Sequence, residues 1–144
     1  MPAPNKIYFA QIASSEWRDW VQVINVSNEA SKVLAVAREE KSQTVWSAEQ
    51  ALNPYQGWVI PVEPASVKQE LSLTVSSDKP IVGERHCHLG TEVLPFPGAA
   101  PELRNVGRRL FFPELVAGCA DWFRVFNISD QDALVNVIVR DING

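Results

Sequence analysis

Histidine and cysteine occur only twice each in 144 residues and methionine once, so the side chains that most often bind metals or act as nucleophiles are scarce. There is no Gly-x-Ser-x-Gly elbow, no phosphate-binding Gly-x-x-x-x-Gly-Lys loop, no His-Glu-x-x-His pair and no dinucleotide glycine fingerprint. Carboxylates such as Glu39, Glu40, Asp121 and Asp141 are plentiful, but sequence alone does not pair them across a glycosidase cleft. These absences point away from an enzyme and leave no cofactor to be held.

Basic residues are equally sparse. The formal net charge is −4 and no Lys/Arg run exceeds Arg108-Arg109, which leaves out the basic stripe that phosphate backbones require and argues against nucleic acid as a partner. Apolar runs are a handful of residues long, far below the ~20 that span a bilayer as a helix, so membrane insertion is not expected. The start, MPAPNK, lacks the basic, apolar and small-residue regions of a signal peptide. That reads as a cytosolic protein, or as the mature form or a segment of one that works outside the cell or at its surface. Cys87 and Cys119 suffice for one disulfide, yet a domain of this size does not need it, and two buried thiols are the simpler expectation. Helix signals are confined to SAEQAL, Ser47 to Leu52, where Ser47 can cap a turn or two.

What is abundant is strand. Lys6–Ile12, Trp20–Val26, Lys32–Glu39, Gly57–Val62, Val67–Val75, Pro80–Leu89, Arg108–Val116, Trp122–Ile128 and Ala133–Asp141 are short, rich in β-branched and aromatic residues, and divided by Asn, Asp, Ser, Pro or Gly. Such spacing predicts an all-β, antiparallel β-sandwich. In Glu70–Val75 the alternation puts Leu71, Leu73 and Val75 in the core and Glu70, Ser72 and Thr74 in solvent. FPGAAP, Phe96 to Pro101, reads as a rigid crossover between two sets of strands.

The chain also repeats itself. DWVQVINVS, Asp19 to Ser27, returns as DWFRVFNIS, Asp121 to Ser129; Trp20 matches Trp122, Val23 Val125, Asn25 Asn127, Val33 Val135 and Arg38 Arg140, always 102 positions apart. Upstream, YFAQIA from Tyr8 parallels FFPELV from Phe111. The sequence therefore predicts one domain over 1–144, with a full unit in 1–100 and a partial second unit of three strands in 107–144 that packs on the first or on a partner chain. A period this long marks a domain-sized repeat rather than a solenoid. Trp20 and Trp122 are expected to give their rings to the core, with each indole N–H seeking a partner. Asn25 and Asn127 stand where a strand ends and a turn begins, a position Asn fills well. Both also lie in Asn-x-Ser, a glycosylation acceptor where the enzyme exists.

The order of these motifs, FFPEL, DWFRVFNIS, the valine strand, VIPVEPAS and KPIVGERHCHLG, resembles the tandem β-sandwich repeat modules of secreted and cell-surface bacterial proteins, a family without a characterised function. Pro80-Ile81-Val82-Gly83-Glu84-Arg85 is the best-matching piece. The resemblance spans nearly the whole chain and implies a surface or matrix role without an enzymatic one.

Two candidate sites remain. Glu84, His86 and His88 fall on one face of a strand, with Arg85 and Cys87 on the other, and two imidazoles plus a carboxylate can hold a divalent metal such as zinc. Trp17, Trp46, Tyr55 and Trp58 can form an aromatic platform for carbohydrate if they are exposed. The partial second unit raises a structural question instead, because three strands alone cannot bury a sheet face. Either the two copies close into one sandwich as facing sheets, the simpler arrangement, or the second copy covers another chain by β-augmentation and builds a homo-oligomer or homopolymer. The leading expectation is thus a non-enzymatic structural or adhesive protein that self-assembles through strand edges or an apolar face.

Overall fold

The computed structural model describes residues 3–12, 18–39, 43–61, 70–89, 91–103, 106–111 and 124–140. It is all-β, with no α-helix among the described residues. Among the described residues eight strands, β1 (Lys6–Ile12), β2 (Arg18–Asn25), β3 (Ser31–Arg38), β4 (Thr44–Leu52), β5 (Gly57–Ile60), β6 (Leu71–Ser77), β7 (Ile81–Leu89) and β8 (Glu92–Pro97), precede a 3-10 turn at Pro101–Leu103. They form two four-stranded antiparallel sheets, ordered β1-β6-β3-β4 and β5-β2-β7-β8.

Period-two patterning explains why the sheets stack. In β3, Ser31, Val33, Ala35 and Ala37 turn inward and are buried, while Lys32 and Leu34 are exposed. In β6 the inward row is Leu71, Leu73 and Val75, as the alternation predicts; Ser72, expected in solvent, is also buried and its hydroxyl donates to the Arg38 carbonyl. These residues meet Ile7, Phe9 and Ile12 of β1, Val21 and Val23 of β2, Trp58 and Ile60 of β5 and Ile81 of β7 in one core. Fully burying a Val, Leu or Ile contributes about 1.5–3 kcal/mol, so this row of aliphatics is the main stabilising term.

Three features depart from the sequence reading. SAEQAL is not a helical turn but the body of β4, paired with β3 from Ser31↔Leu52 to Arg38↔Thr44. Phe96 and Pro97 are not loop but the end of β8, which lies beside β7. And Trp20, expected in the core, points outward: it pairs with His86 on β7, whereas its neighbours Val21 and Val23 supply the inward row.

The segment after β8, expected as a crossover between two sets of strands, reaches the edge of the other sheet, but no strand follows it among the described residues. Tyr8 and Ala99 exchange both backbone hydrogen bonds at 2.8 Å, pinning the connection to the outer edge of β1. It passes so close to Ile7 that a Cβ on residue 98 would sit 1.9 Å from Cγ2, so only glycine fits. Both sheets are therefore built by residues 6–97. The described parts of the second copy, 107–111 and 124–140, add no strand to either sheet. The latter touches the sandwich through an Arg124–Glu70 ion pair of 2.5 Å and a ring contact between Phe126 and Tyr8 at 6.2 Å. Of the expected strand Arg108–Val116, residues 108–111 carry no ladder and 112–116 lie outside the described residues, as do Trp17, Cys119 and Trp122.

Candidate functional site

The register of β2 against β7 divides their chemistry between two faces. Trp20 opposite His86 and Asp19 opposite Cys87 are neighbouring pairs, so one lands outside and the next inside.

On the outer face Trp20, Glu84, His86 and His88 gather. The Trp20 indole N–H donates to Nε2 of His88 at 2.7 Å. The Trp20 and His86 rings lie 4.3 Å apart, and His86 Nε2 is 2.8 Å from Oε1 of Glu84. Parity thus places Glu84, His86 and His88 on one face as the sequence indicates. Their spacing does not favour a shared ion. Residues four apart on a strand are separated by roughly 13 Å at about 3.3 Å per residue, too far for Glu84 and His88 to ligate one metal together. The Nε2 lone pair of His88 is moreover occupied by Trp20. Among the described residues no three His, Cys, Asp or Glu side chains are placed to hold a metal.

On the inner face lies a cluster that sequence reasoning did not single out. Asp19 and Arg85, both almost wholly buried, form an ion pair in which Nη2 reaches Oδ1 at 3.1 Å and Oδ2 at 3.0 Å. The Cys87 thiol donates to Oδ1 of Asp19 at 2.8 Å, and the Arg85 guanidinium lies 5.3 Å from the centre of the Phe96 ring. Burial, and after it the hydrogen bond to Asp19, pushes the Cys87 thiol up to about 12. It is a free, buried, protonated thiol at neutral pH and no nucleophile. The cluster is a strut between strands. A signal for it existed: parity puts Arg85 and Cys87 inward, and Asp19 belongs to the repeated motif.

The three described residues of the expected aromatic platform, Trp46, Tyr55 and Trp58, do not form one exposed surface. Trp58 is in the core at 8% exposure, and Trp46 is half-buried against it. Tyr55 is 69% exposed at the β4–β5 turn, where its φ of 60° follows Pro54 and the Gln56 N–H closes the turn on the Asn53 carbonyl. Trp17 lies outside the described residues.

The most informative geometry is that of the repeated turn. Asn25 is completely buried where the chain arches from β2 in one sheet to β3 in the other. Its Nδ2 donates to the carbonyls of Glu29 (2.8 Å) and Asn53 (3.1 Å), and its Oδ1 accepts from the Ser27 N–H at 3.0 Å. Asn127 repeats the local half of this pattern, donating to the Gln131 carbonyl at 2.7 Å and accepting from the Ser129 N–H at 3.0 Å. Ser27 and Ser129 match as well, their hydroxyls donating to the carbonyls of Glu29 and Gln131 at 2.8 and 2.9 Å. The arch is thus encoded locally, and it forms in the second copy without the sheets that flank the first. As a glycan acceptor Asn25 is unsuited in the folded chain, since its amide nitrogen is buried and already bonded.

The arms of the second arch are bare. Val33, Ala35 and Ala37 are each 0% exposed, whereas their counterparts Val135, Val137 and Val139 are 51%, 59% and 71% exposed. Leu134 and Ile138 on the opposite face are more exposed still.

No protein family matches the sequence, and no curated protein matches it. A crystal structure of Thermotoga maritima 1070 is similar in fold, with a TM-score of 0.56 at 15% identity, covering 69% of this chain and 96% of that one. The likeness concerns architecture alone.

Proposed function

We propose that this is a non-enzymatic structural or adhesive β-sandwich protein that self-assembles, with the second arch as its assembly element. The observation that carries this reading is the contrast between the arches: the same turn and the same inward pattern, buried in one copy and bare in the other. Contiguous exposed apolar surface of this kind marks an interaction site. Covering Val125, Val135, Val137 and Val139, which are 41% to 71% exposed, contributes roughly 3–6 kcal/mol. Association costs about 4–15 kcal/mol in lost freedom, so side-chain burial alone does not suffice and backbone pairing must add to it. That favours strand addition over simple face-to-face contact. The resemblance to surface-module repeats supports a role for the assembly in a surface layer, filament or matrix. Light scattering across a hundredfold range of concentration tests the reading. The mass should rise from one chain of 16.0 kDa to multiples of it, and a monomer throughout would remove the proposal.

A further inference from the structure

Building on the self-assembly reading, we propose that Ala133–Arg140 of one molecule adds as a strand to the open edge of β4 in a second copy of the chain.

Each sheet ends in two edges, and three of the four resist an incoming strand. The β1 edge is taken by Ala99. The β5 edge is only four residues long, and β8 carries Pro95 and Pro97, which lack the N–H a ladder needs. β4 differs. It runs nine residues, contains no proline and only one charged side chain, Glu49, and among the described residues it pairs with β3 alone. It is the edge without the devices that keep strands from pairing with strangers.

The donor is a fitting complement. Residues 133–140 are the sequence copy of β3, the strand with which β4 already pairs. They belong to no ladder among the described residues. On β4 the inward row is Trp46, Ala48, Gln50 and Leu52, and the first three are only half-buried. An added strand with Val135, Val137 and Val139 inward would set three valines beside Trp46 and Ala48. Leu134, Asn136 and Ile138 would then continue the outer face. The arrangement is head-to-tail, donor of one copy on acceptor of the next, and so propagates into an open chain of molecules unless the rotation closes it.

The test replaces Leu134, which is 90% exposed and outside both sheets, with a photoreactive phenylalanine analogue. Ordinary and nitrogen-15-labelled chains are mixed, irradiated at a concentration where larger species are present, and mapped by mass spectrometry. The expected result is mixed-isotope cross-links from position 134 to residues 44–52, reduced at least tenfold by Val137→Pro, which removes a ladder N–H at no cost to the sandwich. Mixed-isotope cross-links to β1, β5 or β8 would overturn the β4 assignment while leaving self-assembly intact. Cross-links within single chains only would overturn both.

Discussion

Replacing Asp19 by alanine lowers the stability of the folded chain by about 3–5 kcal/mol, because it leaves the buried Arg85 guanidinium without its counter-charge. The ion pair lies between the sheets, with 5% of the Asp19 side chain and 8% of the Arg85 side chain in contact with solvent. A charge in that position has no water to turn to, and Arg cannot shed its proton at any working pH. The same substitution removes the acceptor of the Cys87 thiol. Against a typical total of about 5–15 kcal/mol, the loss is large and should appear as a fall of roughly 10 °C or more in melting temperature. The partner change distinguishes an uncompensated charge from lost packing. Adding Arg85→Met to Asp19→Ala should recover part of the loss, since replacing both members of a buried pair by apolar groups is often nearly neutral. Melting of Asp19→Ala within 2 °C of the parent, or no recovery in the double variant, contradicts the strut.

Asn25→Ala and Asn127→Ala, the same substitution in the two copies of one motif, differ sharply in effect. At Asn25 the change strips donors from the carbonyls of Glu29 and Asn53 and an acceptor from the Ser27 N–H, all around a fully buried site. Each unsatisfied buried group costs about 1–3 kcal/mol; Glu29 and Asn53 are exposed residues whose carbonyls water can partly serve, so a loss of roughly 2–4 kcal/mol is expected. At Asn127 the corresponding bonds are exposed, water can replace them, and in dilute solution the change should stay within about 0.5 kcal/mol. Denaturant titration of both variants at low concentration measures the difference. Equal losses would mean that the second arch is as well packed as the first.

Strand patterning made much of the sandwich legible. β1 was bounded by its residues alone, and the inward rows of β6 and β7 follow from parity, including the opposition of Arg85 and Cys87 to Glu84, His86 and His88. What was not legible depended on partners. β4 is an edge strand whose outer face is wet, so SAEQAL carries no run of β-branched residues and its Ser and Glu read as a helix start. β8 is rich in proline and survives as a strand because it sits at an edge, with β7 its only described ladder. Trp20 looks like a core residue on size alone; its direction is set by Val21 and Val23, which claim the inside. The Asp19–Arg85 strut needed the β2–β7 register, which no local pattern supplies. The repeat itself was plain in the sequence, but that its second copy keeps the turn while its arms stay bare emerges only from the contrast in burial.

The most direct measurement is amide hydrogen exchange at residues 133–140, followed as the protein concentration rises. In dilute solution these amides should exchange at nearly the rate of unstructured chain, while those of β3, their counterparts in the first copy, are protected by pairing to β4 and β6. On concentration, residues 133–140 should become protected together with the outer edge of β4, in step with the growth in mass. Protection at 133–140 that is already present in the dilute monomer, or that never appears at any concentration, would contradict an assembly built on the second arch.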